Sequence, residues 1–231
     1  MEKKTGPGVG VETEVEFYAA IGSGARPEID ALLASMPALV NSKNEHGISP
    51  IMWALYNRQA ETALHLREVG CNPDAFEACA LGDRDGVVSV LDSDEEAPSR
   101  RTTDGFTLLH LACFFGHEEL AAVLIESGSD VNSVADNPSK VAPVHSAAAG
   151  GSVATVDRLL KAGAHADATQ EGGFTALMSA AMQGNLEMVK TLMAAGASPD
   201  IAAADGRTAI GIATASERED LLALLAPDSA T

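Results

Sequence analysis

The sequence predicts an all-α fold in which pairs of helices repeat along the chain. The first observation is a period of 33 residues, which separates Thr175 from Thr208 and Gly163 from Gly196. The second is composition, since 46% of the 231 residues are hydrophobic but only 4% are aromatic. Much of the apolar content is alanine, which allows helices to stack closely. Repeated helix pairs that stack on their neighbours form a solenoid, which grows by adding units.

One sequence motif opens most of the units. Residues 172–185 read GGFTALMSAAMQGN, and residues 104–117 read DGFTLLHLACFFGH. Weaker copies occur at 46–57, 140–151 and 205–216. This Gly-x-Thr-Pro-Leu-His-x-Ala-Ala theme resembles the ankyrin repeat family, whose unit is a turn followed by two helices. The resemblance implies an ankyrin-repeat α-solenoid of helix-turn-helix units with short β-hairpin turns. The alanine-rich composition resembles stand-alone bacterial ankyrin-repeat proteins.

The repeat theme divides nearly the whole chain. We predict a flexible tail at 1–13, an ankyrin repeat domain at 14–226 and a second tail at 227–231. The predicted units are 14–43, 44–74, 75–100, 101–134, 135–168, 169–202 and 203–226. The third unit lacks the Gly-x-Thr-Pro signal, and only 58 residues separate Ser49 from Thr107. We therefore expect a truncated hairpin between the second and third units.

The helix ends carry their own signals. Ser49 precedes Pro50, a residue suited to the first helical turn because its missing N–H has no partner there anyway. Gly128, Gly163 and Gly196 each close a second helix. We expect positive φ at these three glycines, since a β-carbon is strained in that conformation.

Charge and cysteine content limit the classes of partner. The formal net charge is −18, so we expect neither nucleic acid nor an anionic membrane as a partner. No apolar stretch is long enough to span a membrane, and we identify no signal peptide. The three cysteines have no paired spacing and fit a reducing compartment, so we predict a cytoplasmic monomer. The acidity either keeps the protein soluble or attracts a basic partner.

The search for catalytic chemistry finds weak patterns only. His110 and Cys113 are three residues apart, a spacing that two zinc ligands could use. However, both occupy positions that the repeat motif fills for structural reasons, and no second ligand pair is evident. We expect His110 to bond to Thr107 or to the neighbouring turn. We predict no catalytic, cofactor-binding or metal-binding residues.

The candidate binding residues follow from the family resemblance. In ankyrin repeats, ligands usually lie on the concave surface, which hairpin tips and the exposed side of each first helix form. Carried over by position, that surface comprises Tyr18, Trp53, Tyr56, Asn57, Glu77, Phe114, Phe115, Met182 and Gln183 on helices, with Phe106 and Phe174 on hairpins. Exposed aromatic side chains are common anchors of protein recognition. The alternative is that these rings fill gaps between neighbouring units.

The leading hypothesis is a non-enzymatic module that holds a protein partner on its concave face. A second hypothesis is a secreted or host-directed ankyrin effector that uses the same surface. A third is an unrecognised enzyme or metal protein. Fold alone does not choose between them, because one fold hosts many functions.

Overall fold

The computed structural model describes residues 9–226, and within that range the protein is built from α-helices without a β-sheet. Fourteen α-helices follow one another there. Two isolated antiparallel bridges, Arg101 to Thr107 and Thr169 to Thr175, mark hairpins. The predicted all-α repeat fold is therefore confirmed. The chain divides into two compact units, residues 1–81 (unit 1) and 82–231 (unit 2), each of which we take separately.

Unit 1 contains five helices. These are α1 Val9–Ser23, α2 Arg26–Ser35, α3 Pro50–Tyr56, α4 Ala60–Glu68 and α5 Ala75–Leu81. Helix α1 packs on α2 and on α3, and α3 packs on α4 and α5. Phe17, Ile21, Ile29, Ile51 and Leu66 are fully buried in the shared core. Only six residues connect α4 to α5, so the hairpin expected to be truncated is indeed short.

The start of α1 differs from the predicted boundary at residue 14. The helix begins at Val9, so residues 9–13 are helical rather than part of a loose tail. No residue from Gly10 to Glu16 is buried, and burial begins at Phe17. These first turns lie outside the core of unit 1, and the glycine-rich, charged start of the sequence did not indicate a helix there. The rest of the predicted tail, at 1–8, and the predicted tail at 227–231 lie outside the described residues.

Unit 2 contains nine helices within its described part. These are α6 Arg84–Ser93, α7 Leu108–Phe114, α8 Glu118–Glu126, α9 Pro143–Gly150, α10 Val153–Lys161, α11 Ala176–Gln183, α12 Leu186–Ala194, α13 Ala209–Ala215 and α14 Glu219–Leu225. The first helices of successive pairs, α7, α9, α11 and α13, form one layer. The second helices, α8, α10, α12 and α14, form the other. No helix of residues 9–226 combines the length and hydropathy that a membrane span needs.

The helix ends of unit 2 follow the sequence signals. The hydroxyl of Thr175 accepts a hydrogen bond from the Met178 N–H at 3.2 Å, which satisfies one free amide at the start of α11. Gly128, Gly163 and Gly196 have φ of 89°, 93° and 88°. The prediction of left-handed glycines after the second helices is therefore confirmed. These local signals therefore set where the helices begin and end.

Candidate functional site

Tyr18 is not on an exposed face, contrary to the prediction. Only 6% of its surface is exposed, because its ring lies in the core of unit 1. Its hydroxyl is 3.1 Å from the Ser42 carbonyl oxygen and 3.0 Å from that of Ile48, so its single hydrogen is shared between these two acceptors. Burial raises the pKa of Tyr18 to about 12. The side chain therefore fastens α1 to the segment that leads into α3.

Trp53 provides a second connection between α3 and α1. Its indole Nε1 donates a hydrogen bond of 2.8 Å to the Tyr18 carbonyl oxygen. The two rings meet edge to face, with centroids 6.2 Å apart. The indole is half-buried. Trp53 thus joins α3 to α1, the gap-filling role that the sequence left open for these rings.

The other predicted residues of unit 1 separate into exposed and buried ones. Tyr56 and Asn57 are exposed at the end of α3. Glu77, predicted on the surface, is buried instead. Its carboxylate accepts the Asp74 N–H at 2.8 Å, and the Asp74 carboxylate accepts the Glu77 N–H at 2.9 Å. This reciprocal capping box draws Glu77 inward, and the Asp-x-x-Glu spacing could have revealed it.

In unit 2 the structure leaves large apolar side chains in solvent. Phe114 is 44% exposed and Met182 is 59% exposed. The Phe114 ring meets the half-buried ring of Phe115 edge to face at 5.1 Å. Phe115 in turn stacks on His117 at 6.5 Å. Phe114 and Met182 are accessible to a partner, whereas Phe115 partly packs within its own repeat.

The exposed residues of the first helices fall at one position of the repeat. Each lies seven residues after the residue that precedes its helix, and each is exposed. The set is Phe114 on α7, Ala149 on α9, Met182 on α11 and Ala215 on α13. Because the four helices pack in that order, the row runs along one side of the first-helix layer. We call this row, with the hairpin tips beside it, the hairpin–helix surface of unit 2.

An open groove of about 280 Å³ lies at the carboxyl end of this surface. Met182, Arg207, Ile212 and Ala215 contribute to its lining. The Arg207 guanidinium carbon lies 4.8 Å from the centre of the Phe174 ring, a cation–π contact. Arg207 also pairs with a carboxylate oxygen of Asp205 at 2.6 Å, and its hydrogen bonds lower the pKa of that carboxyl. The half-buried Phe174 is thus covered by a cation of its own chain.

The other two predicted residues of unit 2, Gln183 and Phe106, have contacts within that unit. The Gln183 amide donates to the Ala148 carbonyl oxygen at 2.8 Å, which ties α11 to α9. The half-buried Phe106 ring packs against His110, with centroids 5.7 Å apart. Both side chains therefore have structural contacts within unit 2, although that of Gln183 remains exposed.

The hairpin tips of unit 2 are stacked by backbone hydrogen bonds. The Asp136 N–H donates to the Gly105 carbonyl oxygen at 3.1 Å, and the Glu171 N–H donates to that of Ser139 at 2.8 Å. A third such bond of 2.7 Å joins Ala204 to Gly172. Each tip also carries one exposed carboxylate: Asp104, Asp136, Glu171 and Asp205. Stacking therefore brings acidic groups from four repeats to the edge of the surface.

Two buried histidines hold the repeats of unit 2 together. His110 Nδ1 accepts the Thr107 N–H at 3.2 Å, and its Nε2 donates to the Val141 carbonyl oxygen at 2.9 Å. The expected bond between His110 and Thr107 is therefore confirmed. His145 repeats the pattern, since its Nδ1 accepts the Ala142 N–H and its Nε2 donates to the Ala168 carbonyl oxygen. Burial lowers the pKa of His110 to about 4 and also lowers that of His145. Both rings are neutral structural connectors.

Several features of these surfaces were absent from the sequence prediction. Val11 and Val15 of α1 are strongly exposed, and Arg207 covers Phe174. The tip carboxylates of Asp136 and Asp205 were also missed, although alignment of the hairpins would have found them. Within residues 9–226, no three or more His, Cys, Asp or Glu side chains come together as metal ligands would.

Comparison with known proteins assigns this architecture to a family. A family model described as "Ankyrin repeats (3 copies)" matches residues 144–231, and one described as "Ankyrin repeat" matches residues 104–136. Together the two matches cover just over half of the chain.

Three similar proteins are much longer than the matched segment. The chain is 34% identical over 100 residues to BCL-6 corepressor-like protein 1 of Homo sapiens, covering 43% of this chain and 6% of that protein. It is 31% identical over 109 residues to the serine/threonine-protein kinase TNNI3K of Mus musculus, covering 42% and 13%. It is 29% identical over 149 residues to the B-cell lymphoma 3 protein homolog of Mus musculus, covering 64% and 31%.

In each case the match spans less than a third of the relative's length. The three relatives come from human and mouse and lend no support to the bacterial affinity expected from composition. The family matches, the stacked helix pairs and the tip-to-tip hydrogen bonds agree with one another. The chain belongs to the ankyrin-repeat family, and its repeats indicate a module for protein interaction.

Proposed function

We propose that the chain is a non-enzymatic module that binds a protein partner on its concave face, through the hairpin–helix surface of unit 2. The observation that carries this proposal is the exposure of Phe114 and Met182 at one position of the repeat. The same position holds alanine in the neighbouring repeats, at Ala149 and Ala215. Packing therefore does not require a large side chain there. Large apolar side chains that are exposed on one side of a helix layer are typical of a contact surface.

Charge supports a partner with a basic surface. The hairpins that precede the four helices of the row carry four exposed carboxylates, of which that of Asp205 is paired with Arg207, and the whole chain carries a net charge of −18. The Arg101 guanidinium lies 2.9 Å from the carbonyl oxygens of both Gly105 and Val134, so this cation is engaged within the fold. An acidic edge beside an apolar strip speeds the encounter with a basic protein and sets its orientation.

The test is affinity capture from the source cell with the full chain and a Phe114→Ser, Met182→Ser variant, quantified protein by protein. We expect at least one partner to bind the variant with about 2 kcal/mol less free energy, roughly a 30-fold loss of affinity. Loss of binding should come without loss of helicity, because both side chains are largely in solvent.

Leu64→Ser is the matched control. Leu64 is also an exposed apolar residue, but it lies on α4, a second helix of unit 1, and is not part of the hairpin–helix surface. The proposal is wrong if the control loses the same partners, or if the double variant retains all of them with unchanged affinity.

The compartment and the regulatory setting belong to the same proposal. Cys71, Cys79 and Cys113 are buried thiols, which supports a reducing compartment such as the cytoplasm. One relative is named a corepressor-like protein, and that name supplies no partner for this chain. Cell fractionation distinguishes a cytoplasmic module from an exported effector, since only the effector would accumulate outside the source cell.

A further inference from the structure

Unit 1 has an open groove of about 450 Å³ beside α1, larger than the groove of unit 2. Val11, Val15, Tyr18 and Trp53 contribute its apolar lining, and residues 43–46 form the opposite rim. Val11, Val15 and Tyr18 are spaced by four and three residues, so they lie on one face of the helix. The volume is within the range of sites that take a large side chain or a small ligand.

The base of this groove is held in place by hydrogen bonds. The Tyr18 hydroxyl is bonded to the carbonyl oxygens of Ser42 and Ile48, and the Trp53 indole is bonded to the Tyr18 carbonyl oxygen. These bonds link α1, the opposite rim and α3 directly. A binding site whose walls are already ordered loses little conformational entropy when it is filled.

The edge of the groove leaves apolar surface in water. Val11 is 63% exposed and Val15 is 64% exposed, although both are branched aliphatic residues on the same helix face. The core of unit 1 does not use them, since burial on α1 begins at Phe17. Contact with an apolar side chain of a partner would remove this surface from water.

The charges around the groove have one dominant sign. Helix α1 carries Glu12, Glu14 and Glu16 and has no lysine or arginine. Glu14 lies in the lining itself, and Glu45 lies on the opposite rim with His46 at 3.5 Å. Among the lining residues that the structure describes, Lys43 is the only lysine or arginine. Cationic groups that flank an apolar side chain would therefore face carboxylates at this groove.

We propose that this groove is a second binding site, which takes a cationic amphipathic segment of a partner polypeptide. A large apolar side chain of that segment enters between Val15 and Trp53, and its flanking lysines or arginines face Glu12, Glu14 and Glu45. The site is independent of the hairpin–helix surface of unit 2, so either can fail without the other.

The test uses a capped twelve-residue amphipathic peptide of leucine and lysine as the probe. Trp53 is the only tryptophan of the chain and lines the groove, so its fluorescence reports occupancy. We expect a saturable change in Trp53 emission with the full chain, and an affinity that falls as salt rises. Peptides in which lysine becomes glutamate, or leucine becomes serine, should bind at least tenfold more weakly.

Variants assign the binding to the groove. Val11→Ser with Val15→Ser should weaken the leucine–lysine peptide at least tenfold while leaving the net charge unchanged. Glu12→Gln with Glu14→Gln tests the charge separately and should weaken it at least threefold. Leu64→Ser, on α4 and not among the described lining residues of the groove, is the matched control and should leave the affinity within twofold. Circular dichroism and the melting temperature show whether each variant is folded.

Several results would overturn the proposal. These are an unchanged Trp53 emission, an equal loss of affinity in Leu64→Ser, or unchanged affinity in both groove variants. If deletion of residues 1–8, which include Lys3 and Lys4, shifts Trp53 emission in the direction opposite to the peptide and tightens peptide binding, the groove serves the chain's own segment. If sedimentation shows a dimer that Val11→Ser with Val15→Ser dissociates, the occupant is a second copy. Either outcome replaces the partner segment that we propose.

Discussion

Unit 1 and unit 2 connect successive repeats with different side chains. In unit 1, Tyr18 and Trp53 supply the donors that tie α1 to its neighbours, and their rings are partly or wholly buried. In unit 2, His110 and His145 make the ties to the next repeat. The aromatic Phe114 remains exposed there.

The difference shows that a ring in a repeat protein is not by itself a sign of a binding surface. A tie between repeats needs a donor that reaches a carbonyl oxygen of a neighbouring repeat, and an imidazole, a phenol or an indole can each provide it. Met52 occupies the position in α3 that His110 occupies in α7, three residues after the capping residue. Without a histidine there, unit 1 uses Tyr18 and Trp53 instead.

The largest expected effect tests the burial of the ring in unit 1. Tyr18→Ala should lower the free energy of unfolding by about 3–5 kcal/mol, because it leaves a cavity and removes a hydrogen bond. Phe114→Ala should lower it by less than about 1 kcal/mol, since that ring is largely in solvent. Denaturant unfolding followed by circular dichroism measures both. Equal losses for the two variants would remove the contrast between the units.

The next largest effect comes from the protonation of a buried histidine of unit 2, His110. The pKa of His110 is lowered to about 4 in the folded protein, so the unfolded chain binds more protons below about pH 6.5. Its contribution to stability is therefore complete above pH 6.5 and is lost as the pH falls toward 4. The pKa shift from 6.5 to about 4, at 1.36 kcal/mol per pKa unit, corresponds to a loss of about 3 kcal/mol of unfolding free energy by pH 4.

His110→Gln is the comparison for this pH dependence. Protonation of His110 places a hydrogen on Nδ1, which then can no longer accept the Thr107 N–H. Glutamine does not titrate, so the variant should lose less stability than the parent between pH 6.5 and 4. Parallel pH profiles of the two proteins would show that His110 does not carry the effect.

The smallest effect tests what the two units share. Gly70 ends the second helix pair of unit 1 with φ of 107°, and Gly163 occupies the same place in unit 2 with φ of 93°. A β-carbon at either position would meet no atom within 4 Å, so only the backbone conformation resists substitution. Gly70→Val and Gly163→Val should each cost about 1 kcal/mol or more of unfolding free energy. Melting curves showing no loss in either variant would contradict this account.

The local features of the fold were predictable, whereas the exposure of the candidate binding residues was predicted only in part. The left-handed glycines and the bond between Thr107 and His110 were predicted, because each depends on residues within one turn of a helix. Tyr18 and Glu77 were wrongly expected to be exposed. Glu77 could have been assigned from its capping box with Asp74, whereas nothing near Tyr18 in the sequence indicates its partners.

By itself, the sequence determined the helical class, the period of 33 residues and the ends of the helices, because these depend on hydrogen bonds and backbone conformations that span a few neighbouring residues. Only the tertiary structure decided which aromatic rings are buried and which are exposed to solvent. Tyr18 meets Ser42 across 24 positions of the chain, and Trp53 meets Tyr18 across 35. Whether a side chain at a repeat position lies in solvent depends on the residue that the next repeat places against it, and the period alone does not specify that residue.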